Sequence, residues 1–167
     1  MTGHARPTTT LERRYHGSLD EVWALWTTVA GIESWWGPEG FTVTVRSLDL
    51  RPGGALLYAM SASAPEQVAF MESVGMPITT EATISYTEVD PPIRLGYQHA
   101  VDFIPGVEPY EVATVVELRA DGDHVRLVLT LETMHADEWT QRAAAGWESE
   151  LGKLEQAIAR RRSKPSA

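Results

Sequence analysis

The sequence predicts an α+β domain in which a curved antiparallel β-sheet wraps around a long C-terminal helix. The helix is indicated by apolar residues that recur every three or four positions near the C-terminus: Trp139, Ala143, Trp147, Leu151, Leu154 and Ile158. The sheet is indicated by segments of alternating apolar and polar residues separated by short turns, a pattern typical of hairpin-linked strands. We expect the helix to span about residues 137–160 and to pack on a seven-stranded sheet through Trp147, Leu151 and Leu154.

The N-terminal elements are predicted to be a strand over residues 9–15 and two short helices. Ser18 and Glu21 match a capping box, in which each side chain bonds a backbone N–H group at the start of a helix. We expect Gly31 to end the first helix and a second short helix to lead to the pair Trp35-Trp36. The first helix carries an apolar stripe made of Val22, Trp23, Leu25 and Trp26.

Six further strands are predicted over residues 41–46, 55–61, 79–89, 93–103, 110–118 and 125–131. Turn residues separate them at 51–54, 90–92 and 121–123. One strand is expected to direct Ile93, Leu95, Tyr97, His99, Val101 and Phe103 to its inner face. The next two strands are expected to do the same with Tyr110, Val112, Thr114, Val116 and Leu118, and with Val125, Leu127, Leu129 and Leu131.

Residues 62–78 interrupt the succession of strands, and we expect a helix near residues 63–75. Ser63 and Glu66 match a second capping box, and Pro65 is tolerated in a first helical turn. Gly75 is expected to end this inserted helix. Its apolar residues are too few for a core of their own, so the helix is interpreted as a lid that carries Val68, Phe70 and Met71.

Length and composition narrow the classes of protein that the chain can represent. Its 167 residues fit one domain over residues 9–160, with a loose leader at 1–8 and a disordered basic tail at 161–167. The net charge of −9 argues against a nucleic-acid or anionic-membrane partner. The absence of cysteine excludes thiolate catalysis, cysteine-bound zinc and iron–sulfur clusters. No apolar run approaches the roughly 20 residues of a membrane span, and a cytoplasmic location is predicted.

Several strings resemble one family within the START/SRPBCC superfamily of helix-grip proteins, namely bacterial relatives of the C-terminal domain of the activator of Hsp90 ATPase. These strings are Ser18-Leu19-Asp20-Glu21-Val22-Trp23, Trp35-Trp36-Gly37-Pro38 with Phe41, Asp49-Leu50-Arg51-Pro52-Gly53-Gly54, Asp90-Pro91-Pro92 and Gly146-Trp147. The resemblance covers about residues 9–160. The insertion at 62–78 departs from the family, whose members commonly pass quickly from the Gly-Gly strand to the next.

The resemblance implies a cavity between the sheet and the C-terminal helix that takes small hydrophobic molecules. The residues expected to line it are Trp35, Phe41, Tyr58, Met60, Tyr86, Tyr97, His99, Val101, Tyr110, Val112, Leu129, Trp139 and Trp147, with Phe70 and Met71 contributed by the lid. The alternative is that these side chains fill a solid core. The pair Trp35-Trp36 is open to two interpretations, a recognition surface or packing under the sheet.

His99 is the strongest candidate for a catalytic residue, with Tyr97 or Tyr86 as its partner in acid–base catalysis. A core histidine with satisfied hydrogen bonds is the alternative. His135 lacks a second histidine at helical spacing, so neither a metal site nor a cofactor is predicted.

Three functions compete at this point. The first is a non-catalytic binding protein for a small hydrophobic molecule, and the sequence leaves a homodimer open. The second is an enzyme, cyclase-like or hydrolase-like, that acts in the same cavity through His99. The third, a stress-related co-chaperone, is least favoured because the eukaryotic activator engages Hsp90 through a separate N-terminal domain that is not found here.

The chemical class of the ligand is predicted from the charges near the cavity. Arg94 and Arg126 fall on outward positions, so the predicted ligand is a neutral aromatic molecule with hydroxyl or carbonyl groups.

Overall fold

The structure, a computed structural model of the chain, describes residues 7–37, 39–101 and 106–163. Its strands are β1 (Thr8–His16), β2 (Phe41–Leu48), β3 (Ala55–Ala62), β4 (Thr79–Asp90), β5 (Arg94–Val101), β6 (Tyr110–Asp121) and β7 (His124–Glu132). Its helices are α1 (Leu19–Thr27), α2 (Val29–Glu33), α3 (Pro65–Ser73) and α4 (Asp137–Ser163). The strands form one antiparallel sheet of order β1-β7-β6-β5-β4-β3-β2. The predicted fold class is confirmed.

The chain between β1 and β2 folds as two helices whose boundary differs from the prediction. The Ser18 hydroxyl accepts the Glu21 N–H at 3.2 Å, as the capping box predicts. However, α1 ends at Thr27 and Thr28 caps α2, so Gly31 lies inside the second helix and does not end the first. A Cβ atom at Gly31 would lie 2.2 Å from the Ala24 carbonyl oxygen. Glycine is therefore required where α2 folds back on α1.

Strand β5 begins one residue later than its apolar pattern predicts. Ile93 was expected on the inner face, but it lies in the turn before the strand and is exposed. Its N–H closes that turn on the Asp90 carbonyl oxygen at 2.9 Å, which sets the start of β5 at Arg94. Leu95, Tyr97 and Val101 are buried as predicted. Phe103, residues 1–6 of the leader and residues 164–167 of the tail lie outside the described residues.

The inserted helix α3 is present, but its predicted capping box is not. Ala64 is the N-cap and offers no side-chain bond, while the Ser63 hydroxyl donates to the Gly40 carbonyl oxygen at 3.2 Å. The backbone N–H groups of Ser63 and Ala64 bond the same oxygen, at 2.8 and 3.1 Å. Pro65 occupies the first turn as expected. The start of α3 is thus fixed to the loop before β2 by backbone geometry.

Helix α4 is buried unevenly along its length. Leu151, Leu154 and Ile158 are buried, whereas Trp139, Ala143 and Trp147 on the same stripe are only half-buried. We call residues 137–150 the open half of α4 and residues 151–163 the packed half. The Tyr15 hydroxyl of β1 donates to the Leu151 carbonyl oxygen at 3.1 Å, at the start of the packed half. Trp147, predicted to hold the helix on the sheet with Leu151 and Leu154, packs against the core but is only half-buried.

Helix α4 is also the longest helix, with 27 residues, and charged side chains cover its outer face. In the part of the chain that the structure describes, no helix combines the length and the apolar character needed to cross a membrane.

A candidate ligand cavity between the sheet and helix α4

A cavity of about 640 Å³ lies between strands β3–β5 and the open half of α4. Its lining is Trp36, Tyr58, Met60, Thr80, Glu81, Ala82, Thr83, Ile84, Tyr97, His99, Ala100, Trp147 and Glu150. A second cavity of about 240 Å³ lies further along α4 and is lined by His99, Val112, Leu131, Glu132, Met134, Ala143, Gly146, Trp147 and Glu150. Because three side chains line both, we treat the cavities as the main and minor compartments of one site. The main compartment has the size typical of small-molecule pockets, roughly 300–1,000 Å³.

Aromatic rings form one wall of the main compartment. The Trp36 ring lies 5.9 Å from that of Trp147, 6.2 Å from that of Tyr58 and 6.1 Å from that of Tyr97, measured between centroids. Behind this wall, Trp26 stacks on Trp147 at 6.0 Å. Edge-on and tilted ring contacts of this kind restrict side-chain motion. The wall is therefore apolar and preformed.

Glu150 brings a carboxyl group into this apolar site. Its Oε1 atom accepts the backbone N–H of Gly37 at 3.0 Å. Burial raises the pKa of Glu150 to about 7, although the Gly37 hydrogen bond and the nearby Lys153 charge both favour the ionised form. A carboxyl group with this pKa changes protonation near neutral pH.

Lys153 lies one helical turn beyond Glu150 and is directed to the loop before β2. Its ammonium donates to the carbonyl oxygens of Gly37 at 2.9 Å and Phe41 at 3.4 Å. Burial lowers the pKa of Lys153, and the Glu150 charge opposes that shift. Lys153 is not in the lining of either compartment. It fixes the loop that also supplies the Gly37 N–H.

His99 and Tyr97 are further polar groups of the site, both supplied by β5. Burial lowers the pKa of His99, which favours the neutral imidazole at pH 7. The Tyr97 hydroxyl has no hydrogen-bond partner among the described residues, although its side chain is almost fully buried. Burial also raises the pKa of Tyr97 well above its usual value. Both groups are thus neutral at physiological pH.

The cavity brings together only part of the predicted lining. Tyr58, Met60, Tyr97, His99 and Trp147 line the main compartment, and Val112 lines the minor one. The remaining predicted residues lie outside both compartments: Trp35, Phe41, Phe70, Met71, Tyr86, Val101, Tyr110, Leu129 and Trp139.

These nine residues lie outside the two compartments for different physical reasons. Trp35 is in the core, where its indole N–H donates to the Leu25 carbonyl oxygen at 2.7 Å. Tyr86 is also in the core, with its pKa raised by burial to about 12. On α3, Phe70 is 57% exposed. The Trp139 ring is covered by the Arg142 guanidinium, 4.9 Å from the ring centroid.

Tyr110 belongs to a separate, open pocket of about 410 Å³ near the start of α4. Its hydroxyl lies 2.7 Å from His135 Nδ1 and accepts the His135 backbone N–H at 3.2 Å. Pro7, Thr133 and Met134 complete that pocket. Tyr110 therefore links β6 to the chain entering α4, and its pocket shares Met134 with the minor compartment.

Among the cavity residues that the sequence interpretation missed, Trp36 and Glu150 bear most directly on the chemistry of the site. In the pair Trp35-Trp36 both rings are buried in the core, and Trp36 also lines the cavity. The position of Glu150 in the helix could have been predicted from the sequence, because it follows Trp147 by three positions and precedes Leu154 by four. It therefore lies on the apolar stripe itself, where a carboxyl group needs a partner or a function.

A second cluster of titratable groups lies at the far end of the sheet. His16 of β1 pairs with His124 of β7, and Asp123 precedes the latter. Donor atoms of these three side chains lie within 4.8 Å of one another. The Asp123 carboxylate contacts His124 Nδ1 at 2.6 Å and His16 Nε2 at 3.2 Å, so each histidine already has a partner.

A curved antiparallel sheet that grips a C-terminal helix, with a cavity between them, defines the helix-grip class of proteins. Residues 16–159 match the family described as activator of Hsp90 ATPase homolog 1-like protein, and the chain belongs to this family. The resemblance found in the sequence is thereby confirmed. No curated protein matches the chain.

Solved structures of similar proteins support the same fold. Protein CV1439 from Chromobacterium violaceum is 22% identical, with a TM-score of 0.73 over 90% of this chain and 96% of that one. The AHSA1 protein from Silicibacter pomeroyi is 24% identical, with a TM-score of 0.70 over 92% and 98%. CalU16 from Micromonospora echinospora is 20% identical, with a TM-score of 0.63 over 90% and 75%. At these identities the likeness establishes the fold alone.

Proposed function

We propose that this protein binds a small, apolar, ring-containing ligand in the main compartment. The observation that carries the proposal is the aromatic wall of Trp36, Tyr58 and Trp147 around a space of about 640 Å³. An apolar ligand that fills this space would be stabilised by about 25 cal/mol for each Å² of apolar surface removed from water. Flat rings would gain further from contact with the indole faces.

The charges of the lining support a ligand without negative charge. Among the residues that the structure describes, the two compartments contain three glutamates, Glu81, Glu132 and Glu150, and no lysine or arginine. A carboxylate or phosphate in this site would be desolvated without a cationic partner, which costs several kcal/mol. The neutral imidazole of His99 offers no compensating charge. A neutral ligand with hydroxyl or carbonyl groups fits best, and a cytoplasmic location stays a prediction from the sequence.

Calorimetric titration with a matched pair of probes tests this function. Naphthylmethanol is the neutral probe and naphthoate is the anionic probe of the same ring. We expect naphthylmethanol to bind at one site and naphthoate to bind at least about tenfold more weakly. Tighter binding of naphthoate would contradict the proposal. Native mass spectrometry of protein purified from its own host would then identify a retained ligand.

Two variants locate the binding. Ala82 lies on β4 in the main compartment, so Ala82→Trp fills that space and should abolish naphthylmethanol binding. Ala120 is exposed near the end of β6, so Ala120→Trp adds the same ring elsewhere and should leave binding unchanged. Undiminished binding by a folded Ala82→Trp variant would show that the ligand lies outside the cavity.

One observation favours catalysis as a second candidate function. His99 and Glu150 line both compartments, and the pKa of the first is lowered while that of the second is raised to about 7. Two groups tuned in this way suit acid–base chemistry. A hydrolase of this kind should cleave naphthyl acetate, and His99→Gln should lower the rate at least about a hundredfold. A rate unaffected by His99→Gln would remove His99 from any catalytic role.

A further inference from the structure

We infer that Glu150 is the polar anchor of the cavity and that the ligand presents a neutral hydroxyl group to it, which makes the ligand an alcohol or a phenol. The inference rests on the proposed binding function and narrows the ligand class of that same site. It stands on the hydrogen bonding of Glu150 and on the position of Lys153.

Glu150 has one oxygen fixed by the protein and one available to a ligand. Oε1 accepts the Gly37 N–H at 3.0 Å, and this bond fixes the carboxyl plane. Among the described residues, the other oxygen has no hydrogen-bond partner. Because Glu150 lines both compartments, a ligand in either one can reach it. An ionised carboxylate only accepts hydrogen bonds, so the matching group must donate.

The Tyr97 hydroxyl cannot serve as a second partner for the ligand, because it is fully buried with almost no surface accessible from the main compartment. A ligand therefore meets the free oxygen of Glu150 as a hydrogen-bond donor. A carbonyl or ether oxygen can only accept, so it cannot bond the ionised carboxylate.

Lys153 further disfavours a cationic ligand. Its ammonium lies one helical turn from Glu150, and its charge already favours the ionised carboxylate. An amine bound at Glu150 would place a second positive charge beside Lys153 in a partly buried setting, where such repulsion is weakly screened. Of the other titratable groups in the two compartments, His99, Tyr58 and Tyr97 are neutral at pH 8. Glu132 accepts the Ala113 N–H, and Glu81 pairs with Arg46. The site therefore favours a ligand whose hydrogen-bond donor is uncharged.

Three probes that share one ring separate these chemistries: naphthylmethanol, its methyl ether and naphthylmethylamine. Titrated at pH 8, where Glu150 is mostly ionised, the alcohol should bind about tenfold more tightly than the ether and the amine. An ether or amine that binds as tightly as the alcohol would overturn the inference while leaving the proposed function intact. Failure of all three to bind would overturn both.

Glu150→Gln gives a sharper result, since it exchanges an acceptor for a donor without changing the size of the side chain. The Gly37 N–H still needs an acceptor, so the amide oxygen should take that place and the amide –NH₂ should face the cavity. The alcohol's advantage over the ether should then disappear. The control Glu155→Gln removes the same charge from an exposed site on α4 and should leave the tenfold preference unchanged.

Tyr97→Phe is a matched control that keeps the ring packing. Because the Tyr97 hydroxyl is not accessible to a ligand, the tenfold alcohol preference should survive in this variant. Survival of that preference in Glu150→Gln would contradict the assignment of the anchor.

Discussion

The two halves of helix α4 share one apolar stripe but differ in what they do. In the packed half, Leu151 and Leu154 are 1% and 0% exposed and complete the core. In the open half, Ala143 and Trp147 stay half-buried over the cavity. The difference comes from the size of the side chains where the helix meets the sheet. At the open half, small residues on both sides, such as Ala82 of β4 and Gly146 of α4, leave space for the cavity. Periodicity thus identifies the face of a helix that meets the sheet, but not the distance between them.

The largest effect is expected in the packed half. Leu154→Ala removes a fully buried side chain that neighbours cannot replace, and it should lower the free energy of unfolding by about 3–5 kcal/mol. Gln156→Ala, on the exposed face two residues away, should change it by less than about 0.5 kcal/mol. Chemical denaturation measures both. A cost below about 1 kcal/mol for Leu154→Ala would mean that the packed half is not docked on the sheet.

A smaller loss of stability is expected from a larger truncation in the open half. Trp147→Ala should cost only about 2 kcal/mol, because one side of the ring already borders empty space. The same variant should weaken naphthylmethanol binding at least about tenfold, since it removes part of the aromatic wall. If Trp147→Ala proved more destabilising than Leu154→Ala, the distinction between the halves would fail.

Glu150, which lies in the open half, should make the free energy of unfolding depend on pH. Its pKa is about 7 in the folded protein against a usual 4.5, so between these values the folded state holds a proton that the unfolded state has released. Stability should therefore fall as the pH rises from about 4.5 to 7 and level off above 7. The expected fall is roughly 1–3 kcal/mol. Glu150→Gln should remove this fall, leaving the opposite, smaller rise that comes from the lowered pKa of His99. An unchanged profile would remove Glu150 as its source.

The lowest local stability is expected in α3, the helix that the sequence predicted to be a lid. Only Met71 of this helix is buried, and Phe70 with the adjacent Val74 is more than half exposed. Opening of residues 63–75 should cost less than about 2 kcal/mol, far below the packed half of α4. Hydrogen exchange measures this directly. Protection of α3 equal to that of the central strands would exclude a mobile lid.

The sequence could predict the fold because its signals are local and agree with one another. Period-two segments, the turns at Gly53 and Gly122 and the stripe of α4 each specify an element that the structure contains. The details of the cavity were harder to predict because they depend on packing across the sheet. Trp35 and Trp36 are chemically identical neighbours that both reach the core, and only the packing around them determines which ring also lines the cavity.

Glu150 shows a different limit of sequence interpretation. A charged residue next to an apolar helical stripe is usually interpreted as the border between the buried and the exposed face of the helix. Here this border lies at the cavity, so the Glu150 side chain lines it. Its partner, the Gly37 N–H, lies 113 residues away along the chain. No local pattern could have paired them. Such contacts between distant residues create the polar chemistry of an otherwise apolar site.

The most direct test of the account uses the tryptophan indole N–H signals in a two-dimensional NMR spectrum during a naphthylmethanol titration. Trp36 and Trp147 line the main compartment, whereas Trp35 is buried in the core with its N–H bonded to the Leu25 carbonyl oxygen. We predict that the Trp36 and Trp147 signals shift with a common saturation curve while the Trp35 signal stays in place. Shifts of Trp35 without Trp36 and Trp147 would contradict a ligand site between the sheet and the open half of α4.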